Sequence, residues 1–225
     1  MVFLTGDTHI PLDVDKLNTK NFPQQKHLSS EDFVIVLGDF GLLWKKNAEY
    51  EWWKKWFNIK PYTTLWIDGN HENHDWIDSL PVESWNGGKI HRISKKIIHL
   101  MRGQIFKING KTFFTMGGAS SIDKGYRTKG ESWWKREEPS HQEYEEALRN
   151  LASFGNKVDV ILTHTCPKDL IFPMFKLFPE QYSGVERFFN QISLDVSFSD
   201  WYFGHWHEDK DFGKFHCLYN KVIEI

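Results

Sequence analysis

The chain has 225 residues, with 28 Lys and Arg against 30 Asp and Glu, and it is 40% hydrophobic and 16% aromatic. A charged fraction of 26% alongside 11 Trp and 18 Phe excludes intrinsic disorder, and a formal net charge of -2 excludes a uniformly basic nucleic-acid coat protein. Two cysteines, Cys166 and Cys217, are too few for a disulfide framework and point to a reducing compartment.

Val2 to Thr5 reads as a buried strand that runs straight into Gly6-Asp7-Thr8-His9. Processing of the N-terminus would destroy that strand, so the mature chain is expected to start at Met1. No apolar run approaches the roughly 18 residues a membrane-spanning helix needs, and the expected location is the cytoplasm, with no membrane partner. A second strand, Phe33 to Leu37, ends on Gly38-Asp39-Phe40-Gly41, and a third, Leu65 to Asp68, ends on Gly69-Asn70-His71-Glu72. Between them Ala48 to Phe57 carries Trp52, Trp53 and Trp56 at near-helical spacing. These, with Trp44 and Trp66, are read as core rather than as a base-stacking platform.

Ile97 to Met101, Gln104 to Ile108 and Thr112 to Met116 are apolar runs around Arg102-Gly103 and Asn109-Gly110, the latter a hairpin turn signal, which predicts antiparallel β structure. From Ser84 to Ile122 there is no acidic residue, while Lys89, Arg92, Lys95, Lys96, Arg102, Lys107 and Lys111 are all basic. That stretch reads either as a basic face suited to a nucleotide or nucleic acid or as the solvated outer side of a hairpin. Ala119 to Pro139 lacks periodicity, the mark of a functional or mobile connection; within it Trp133 and Trp134 read as a lid or substrate-facing pair, or as packing. Ser140-His141-Gln142-Glu143 is a capping box that opens a helix to Phe154, closed by Gly155. Val158 to Thr163 then leads to His164, Val185 to Ile192 forms a short helix, and Trp201 to Phe203 leads to Gly204-His205-Trp206-His207. Leu170 to Pro179, with three Phe, reads as an interface or as a wall of the site.

Buried strands that close on polar clusters can gather one site from distant sequence, because strand ends converge on one edge of a sheet. Asp7 and His9 are two apart, as are His205 and His207, so each pair can point the same way in extended backbone. Asp7, His9, Asp39, Asn70, His164, His205 and His207 make seven oxygen or nitrogen donors with no thiolate. That set suits two hard or borderline ions, ~3.5 to 4 Å apart, sharing a bridging carboxylate. The remaining histidines, His27, His74, His91, His99, His141 and His216, are read as surface or hydrogen-bonded core residues.

The ordered blocks D-x-H, G-D, G-N-H, H and G-H-x-H, from Asp7 to His207, resemble the calcineurin-like metallophosphoesterases over nearly the whole chain. The resemblance implies one domain over 1–225, an α/β fold built as a four-layer α/β/β/α sandwich of two mixed sheets with flanking helices, and a long loop at about 119–139 beside the site. It implies that Asp7, His9 and His207 hold one metal, that Asn70, His164 and His205 hold the other, and that Asp39 bridges them. His71 then matches the family's catalytic histidine near the leaving-group oxygen, with Glu72 as its carboxylate partner and Asp75 or Asp68 as alternatives. Arg127, in the long loop, is the candidate cation for binding the substrate. Three positions depart from the family pattern: Leu42 stands where many members carry an aspartate, Glu72 where Asp is commoner, and Cys166 where Pro is frequent. The implied reaction is hydrolysis of a phosphate ester by a di-metal centre and bridging hydroxide, with Mn first and Fe or Zn also fitting. Phosphodiesters or nucleotides rank ahead of phosphomonoester substrates of the Ser/Thr protein phosphatase type, and a catalytically silent nucleic-acid or partner-binding member is the further alternative.

Overall fold

The computed structural model describes residues 1–178 and 182–225. Pro179, the end of the Phe-rich run, therefore lies outside the described residues. Thirteen strands appear among them: β1 (Val2–Thr5), β2 (Phe33–Leu37), β3 (Thr63–Ile67), β4 (Val82–Trp85), β5 (Gly88–Ser94), β6 (Ile97–Leu100), β7 (Gln104–Ile108), β8 (Lys111–Met116), β9 (Val160–Thr163), β10 (Asp200–Phe203), β11 (Lys210–Phe212), β12 (Phe215–Cys217) and β13 (Ile223–Glu224). The helices are α1 (Ala48–Asn58), α2 (His74–Asp78), α3 (His141–Ser153), α4 (Lys168–Phe175) and α5 (Gly184–Asp195).

The strands form two mixed sheets, ordered β13-β1-β2-β3-β6-β5-β4 and β11-β12-β10-β9-β8-β7. Alternation along each strand explains the layering, because successive side chains leave opposite faces. Val2 and Leu4 of β1, Ile35 and Leu37 of β2, and Val160 and Leu162 of β9 pack together between the sheets. Their neighbours Phe3, Val34 and Val36 face outward into a second core with Phe57 of α1 and Ile77 of α2. On the far side, Ile161, Trp201 and Phe203 pack under α3, α4 and α5 through Ala147, Ile171 and Phe189. Four layers result, as the family resemblance implied, and each fully buried aromatic such as Trp66 or Phe113 contributes on the order of 2 to 3 kcal/mol of hydrophobic stabilisation.

β1, β2 and β3 run parallel to one another, and so do β9 and β10. Their carboxyl ends therefore reach a common edge. The antiparallel expectation for the middle of the chain holds for β5 with β6 and for β7 with β8, where Asn109 (φ 48°) and Gly110 (φ 81°) make the turn. Arg102-Gly103, however, carries the chain from the first sheet to the second, and β6 and β8 pair in parallel with β3 and β9. The helix capping box at Ser140 forms with both of its bonds, and Ser183 opens α5 in the same way.

Two readings need correction. Of the five tryptophans taken as core, Trp66 is fully buried and Trp53 and Trp56 pack partly buried against the core, but Trp52, on the outer side of α1, is 57% exposed, and Trp44, ahead of that helix, is 37% exposed. The acid-free stretch does not present all its cations freely. Arg102 is buried against Asp68, Lys89 pairs with Glu146 and Arg92 with Glu83, so acids from elsewhere in the chain meet it.

Candidate metal centre

Each of the five strands β1, β2, β3, β9 and β10 ends one or more residues before a polar side chain, and all of these side chains meet at the shared edge. Asp7, Asp39, Asn70 and His164 are buried, whereas the side chains of His9 and His207 are 16% and 48% exposed. His9, Asp39, His205 and His207 adopt φ of 32°, 47°, 69° and 51°. This left-handed region is uncommon for residues with a side chain and is tolerated where the surroundings over-determine it, often at functional sites. Glycine is required beside them: a Cβ on Gly38, itself at φ 90°, would overlap the His164 imidazole, and one on Gly204 would overlap the Asp7 carboxylate.

One oxygen of Asp39 connects the two halves of the cluster. Its Oδ2 lies 3.2 Å from Nε2 of His9 and 3.4 Å from Nε2 of His164, while Oδ1 accepts from the His71 backbone N–H at 2.7 Å. Asp7 Oδ1 accepts from the His205 N–H at 2.9 Å. Its Oδ2 lies 3.1 Å from Nε2 of His207 yet is buried with no hydrogen-bond partner among the described residues. His164 donates through Nδ1 to the Leu37 carbonyl at 2.8 Å, which turns Nε2 toward Oδ1 of Asn70, 3.0 Å away. Ligand atoms of Asp7, His9 and His207 lie within 4.8 Å of one another, and so do those of Asp7, Asp39 and His164. His205 belongs to neither group, its ring standing edge-on to His164 at 5.0 Å.

The electrostatics demand positive charge at this point. Burial opposes it, but Asp39 and Asp7 together push the His164 imidazole up to about 10. Burial likewise works against Asp39, yet His164 and His9 hold its carboxyl well below the usual carboxylate range. Burial drives His205 the other way, down to about 3, so it stays a neutral nitrogen donor. A cation can take the place of the His164 proton, because Nε2 of His164, Oδ1 of Asn70 and Oδ2 of Asp39 converge on one point, and the buried Asp7 Oδ2 faces His207 nearby. A buried acceptor cluster of this kind fits a divalent cation, and the mixture of imidazole, carboxylate and amide donors without thiolate is suited to Mn, Fe or Zn.

His71 sits at the rim, its ring 5.6 Å from that of His9. Its Nε2 lies 2.9 Å from Nη2 of Arg127, which also pairs with Asp123 at 2.7 Å. Burial is the main influence holding His71 below its ordinary value; Asp39 opposes this, and Arg127 adds to it. Glu72, expected beside His71, points elsewhere. Its Oε1 accepts from the Phe40 N–H at 2.7 Å, and burial, with Asp39 and Asp68, raises its carboxyl well above the usual range. It ties the turn after β2 to the turn after β3. The two alternatives are also engaged, Asp68 with Arg102 and His99, and Asp75 with the indole of Trp134 at 2.9 Å. Leu42, where an aspartate is common, is buried in the core under α1.

Four supporting residues were not singled out from sequence. Ser121 accepts from Nδ2 of Asn70 at 3.1 Å, which fixes that amide's oxygen toward His164. Asp13, Lys16 and Tyr219 back the other side of the cluster. Only Asp13 had a readable signal, standing four residues after His9.

Residues 1–209 match the family described as calcineurin-like phosphoesterase, and the chain belongs to that family. Membership supports metal-dependent phosphoester hydrolysis. No curated protein matches the chain. A solved structure described as a phosphopantetheinyl hydrolase (PptH) from Mycobacterium tuberculosis is similar at 14% sequence identity and a TM-score of 0.44, with 97% of this chain and 87% of that chain covered. Among the described residues, no helix is long and apolar enough to cross a membrane.

Proposed function

We propose that the chain is a two-metal phosphoesterase whose site uses Asp7, His9 and His207 for one ion, Asn70, His164 and His205 for the other, and Asp39 between them. The observation that carries this reading is the single Asp39 oxygen placed within 3.4 Å of one imidazole from each set. When bound, the ions would polarise the phosphoryl oxygens and activate water near neutral pH, with Mn2+ the first choice.

The chain's own residues supply positioning and charge. Asp39 is oriented by the His71 N–H and Asp7 by the His205 N–H, so both carboxylates are fixed before substrate arrives. His71 is the acid–base group beside the leaving-group oxygen, held neutral in the resting site by burial and by Arg127. No acidic partner is needed to keep a positive group at this place, because the Arg127 guanidinium is permanently charged and already within hydrogen-bond distance of the imidazole. Arg127 also binds a non-bridging oxygen or a second phosphate of the substrate. In the same loop Ile122 and Tyr126 are wholly exposed, free to meet the alcohol half of the ester. That combination favours phosphodiesters or nucleotides over small phosphomonoesters.

The test compares a chromogenic phosphodiester with its phosphomonoester counterpart on the Mn2+-reconstituted protein, with Asp39→Asn as the control. Faster diester cleavage that Asp39→Asn abolishes supports the reading as stated, and faster monoester cleavage moves the substrate to the phosphatase class. Cleavage of neither, by protein carrying both ions, would sink the enzymatic reading in favour of a silent binding module.

A further inference from the structure

Behind Asp7, His9 and His207 lies a second layer of side chains contributed by residues 13–16 and by Tyr219, far apart in sequence. Asp13 Oδ2 lies 2.7 Å from Nδ1 of His9, which leaves Nε2 of that ring to face Asp39. The ammonium of Lys16, a residue only 8% exposed, donates to the backbone carbonyls of both Asp7 and Tyr219 and stands 4.7 Å over the Tyr219 ring. The Tyr219 ring in turn stacks on His207 at 4.6 Å and an interplanar angle of 10°. The His9 and His207 side chains and the Asp7 backbone are thus held from behind by one linked group.

The other set is built differently. His164 is oriented by a backbone carbonyl of β2 and Asn70 by Ser121, and both are buried within the sheet edge. His207, by contrast, has a half-exposed side chain on left-handed backbone, so its direction depends on the Tyr219 ring behind it. Asp209 holds the Tyr219 N–H, and Lys16 ties the Tyr219 carbonyl, 203 positions further along the sequence, to the carbonyl of Asp7. A long-chain ammonium satisfies two buried carbonyls at once, a task no apolar side chain can perform.

Building on the two-ion reading above, we propose that Lys16 is a positioning residue for the Asp7, His9 and His207 ion alone. Losing it weakens one site of the pair and spares the other. Outer-layer partners of metal ligands change affinity by about 10- to 100-fold when removed, which sets the size expected.

The experiment titrates metal-free full-length protein with Mn2+ by calorimetry and records the electron paramagnetic resonance spectrum of the loaded form. Wild-type protein is expected to take up two ions and give an exchange-coupled pair spectrum. Lys16→Met is expected to keep one ion at unchanged affinity, bind the second about 10- to 100-fold more weakly, and show an isolated-ion spectrum when one equivalent is present at pair-forming concentration. Lys16→Arg, which retains a donor for both carbonyls, should recover most of the second site. Should Lys16→Met fail to fold by circular dichroism, Tyr219→Leu serves instead, since it removes the ring behind His207 and keeps the carbonyl that Lys16 holds; it must show the same one-site loss. Equal weakening of both ions, or two ions held as in wild type, would overturn the role given to Lys16. Wild-type protein that binds fewer than two ions would instead overturn the two-ion reading itself, and the inference with it.

Discussion

Nη2 of Arg127 lies 2.9 Å from Nε2 of His71, across 56 positions of sequence, and among the described residues no carboxylate bonds to that imidazole. A leaving alkoxide at this place would meet a neutral imidazole and a fixed cation together. The two side chains should therefore separate in kinetics.

His71→Ala is expected to lower kcat by about 10²- to 10⁴-fold, the usual contribution of a positioned acid–base group, with metal content nearly unchanged. Arg127→Met should act mainly through KM, raising it at least roughly 10-fold, with a smaller effect on kcat. Steady-state kinetics with elemental analysis of both proteins checks this. Parallel loss of ions and turnover in His71→Ala would place that imidazole among the ligands instead.

Gly38→Ala gives a second prediction. Gly38 has φ 90°, and an added Cβ would overlap the His164 ring that occupies the space beside it. His164 would be displaced from Asn70 and Asp39, so Mn2+ affinity should fall at least about 10-fold, while backbone strain costs on the order of 1 to 3 kcal/mol. Calorimetric titration together with urea denaturation measures the two effects separately. Retained affinity would mean that the His164 ring has room to give.

The parts of this site visible in sequence are those fixed by local pattern. A buried strand that ends on Gly-Asp or Gly-Asn-His announces both the sheet edge and the side chain placed there, and β1 and β2 fall on their expected bounds because apolar runs of four or five residues admit little else. What stayed hidden depends on the third dimension. Glu72 follows His71 directly, but adjacent side chains on a turn diverge, and its carboxyl reaches the backbone of Phe40 instead. Lys16 looks like any surface lysine until Asp7 and Tyr219 are brought together. Trp52 reads as core by spacing, yet spacing cannot say which edge of a tryptophan-rich helix meets the sheet.

Arg102→Met tests the buried pair beneath the turn after β3. Arg102 donates to Asp68 through two nitrogens and to the carbonyls of Arg136 and Glu137, so it pins the long loop to the base of the site. Removing one partner of a buried ion pair strands the other, at about 3 to 5 kcal/mol, which for a chain of this size is roughly 6 to 20 °C in Tm. Differential scanning calorimetry is the measurement. The double variant Asp68→Asn/Arg102→Met should recover part of the loss, because no charge is then left unpaired; a double variant worse than the single would locate the loss in the loop contacts.

His74 should make stability fall on mild acidification. Its Nε2 is buried without a partner among the described residues, in a small cavity of about 40 Å³ where it faces Arg102, Asp68, Arg136 and Asp78, with His91 and His99 also lining the space. Burial first, and then Arg102, push its imidazole down to about 4, against an ordinary value near 6.5. Above pH 6.5 the group is neutral in both states and has no effect. As pH falls from 6.5 toward 4, the unfolded chain takes up a proton that the folded chain refuses, so the unfolded state is favoured progressively; at pH 4.5 the difference is about 2 to 3 kcal/mol. His91, also lowered to about 4 by burial and by His99, acts in the same direction. Urea unfolding of the metal-free protein at pH 7 and pH 4.5 gives the total pH dependence, and repeating it with His74→Gln isolates this residue's share. The variant should lose less stability between the two pH values than the wild type, by that 2 to 3 kcal/mol. Matching pH dependence in the two proteins would mean that His74 is protonated in the folded state, held by Asp68 and Asp78 against the two arginines.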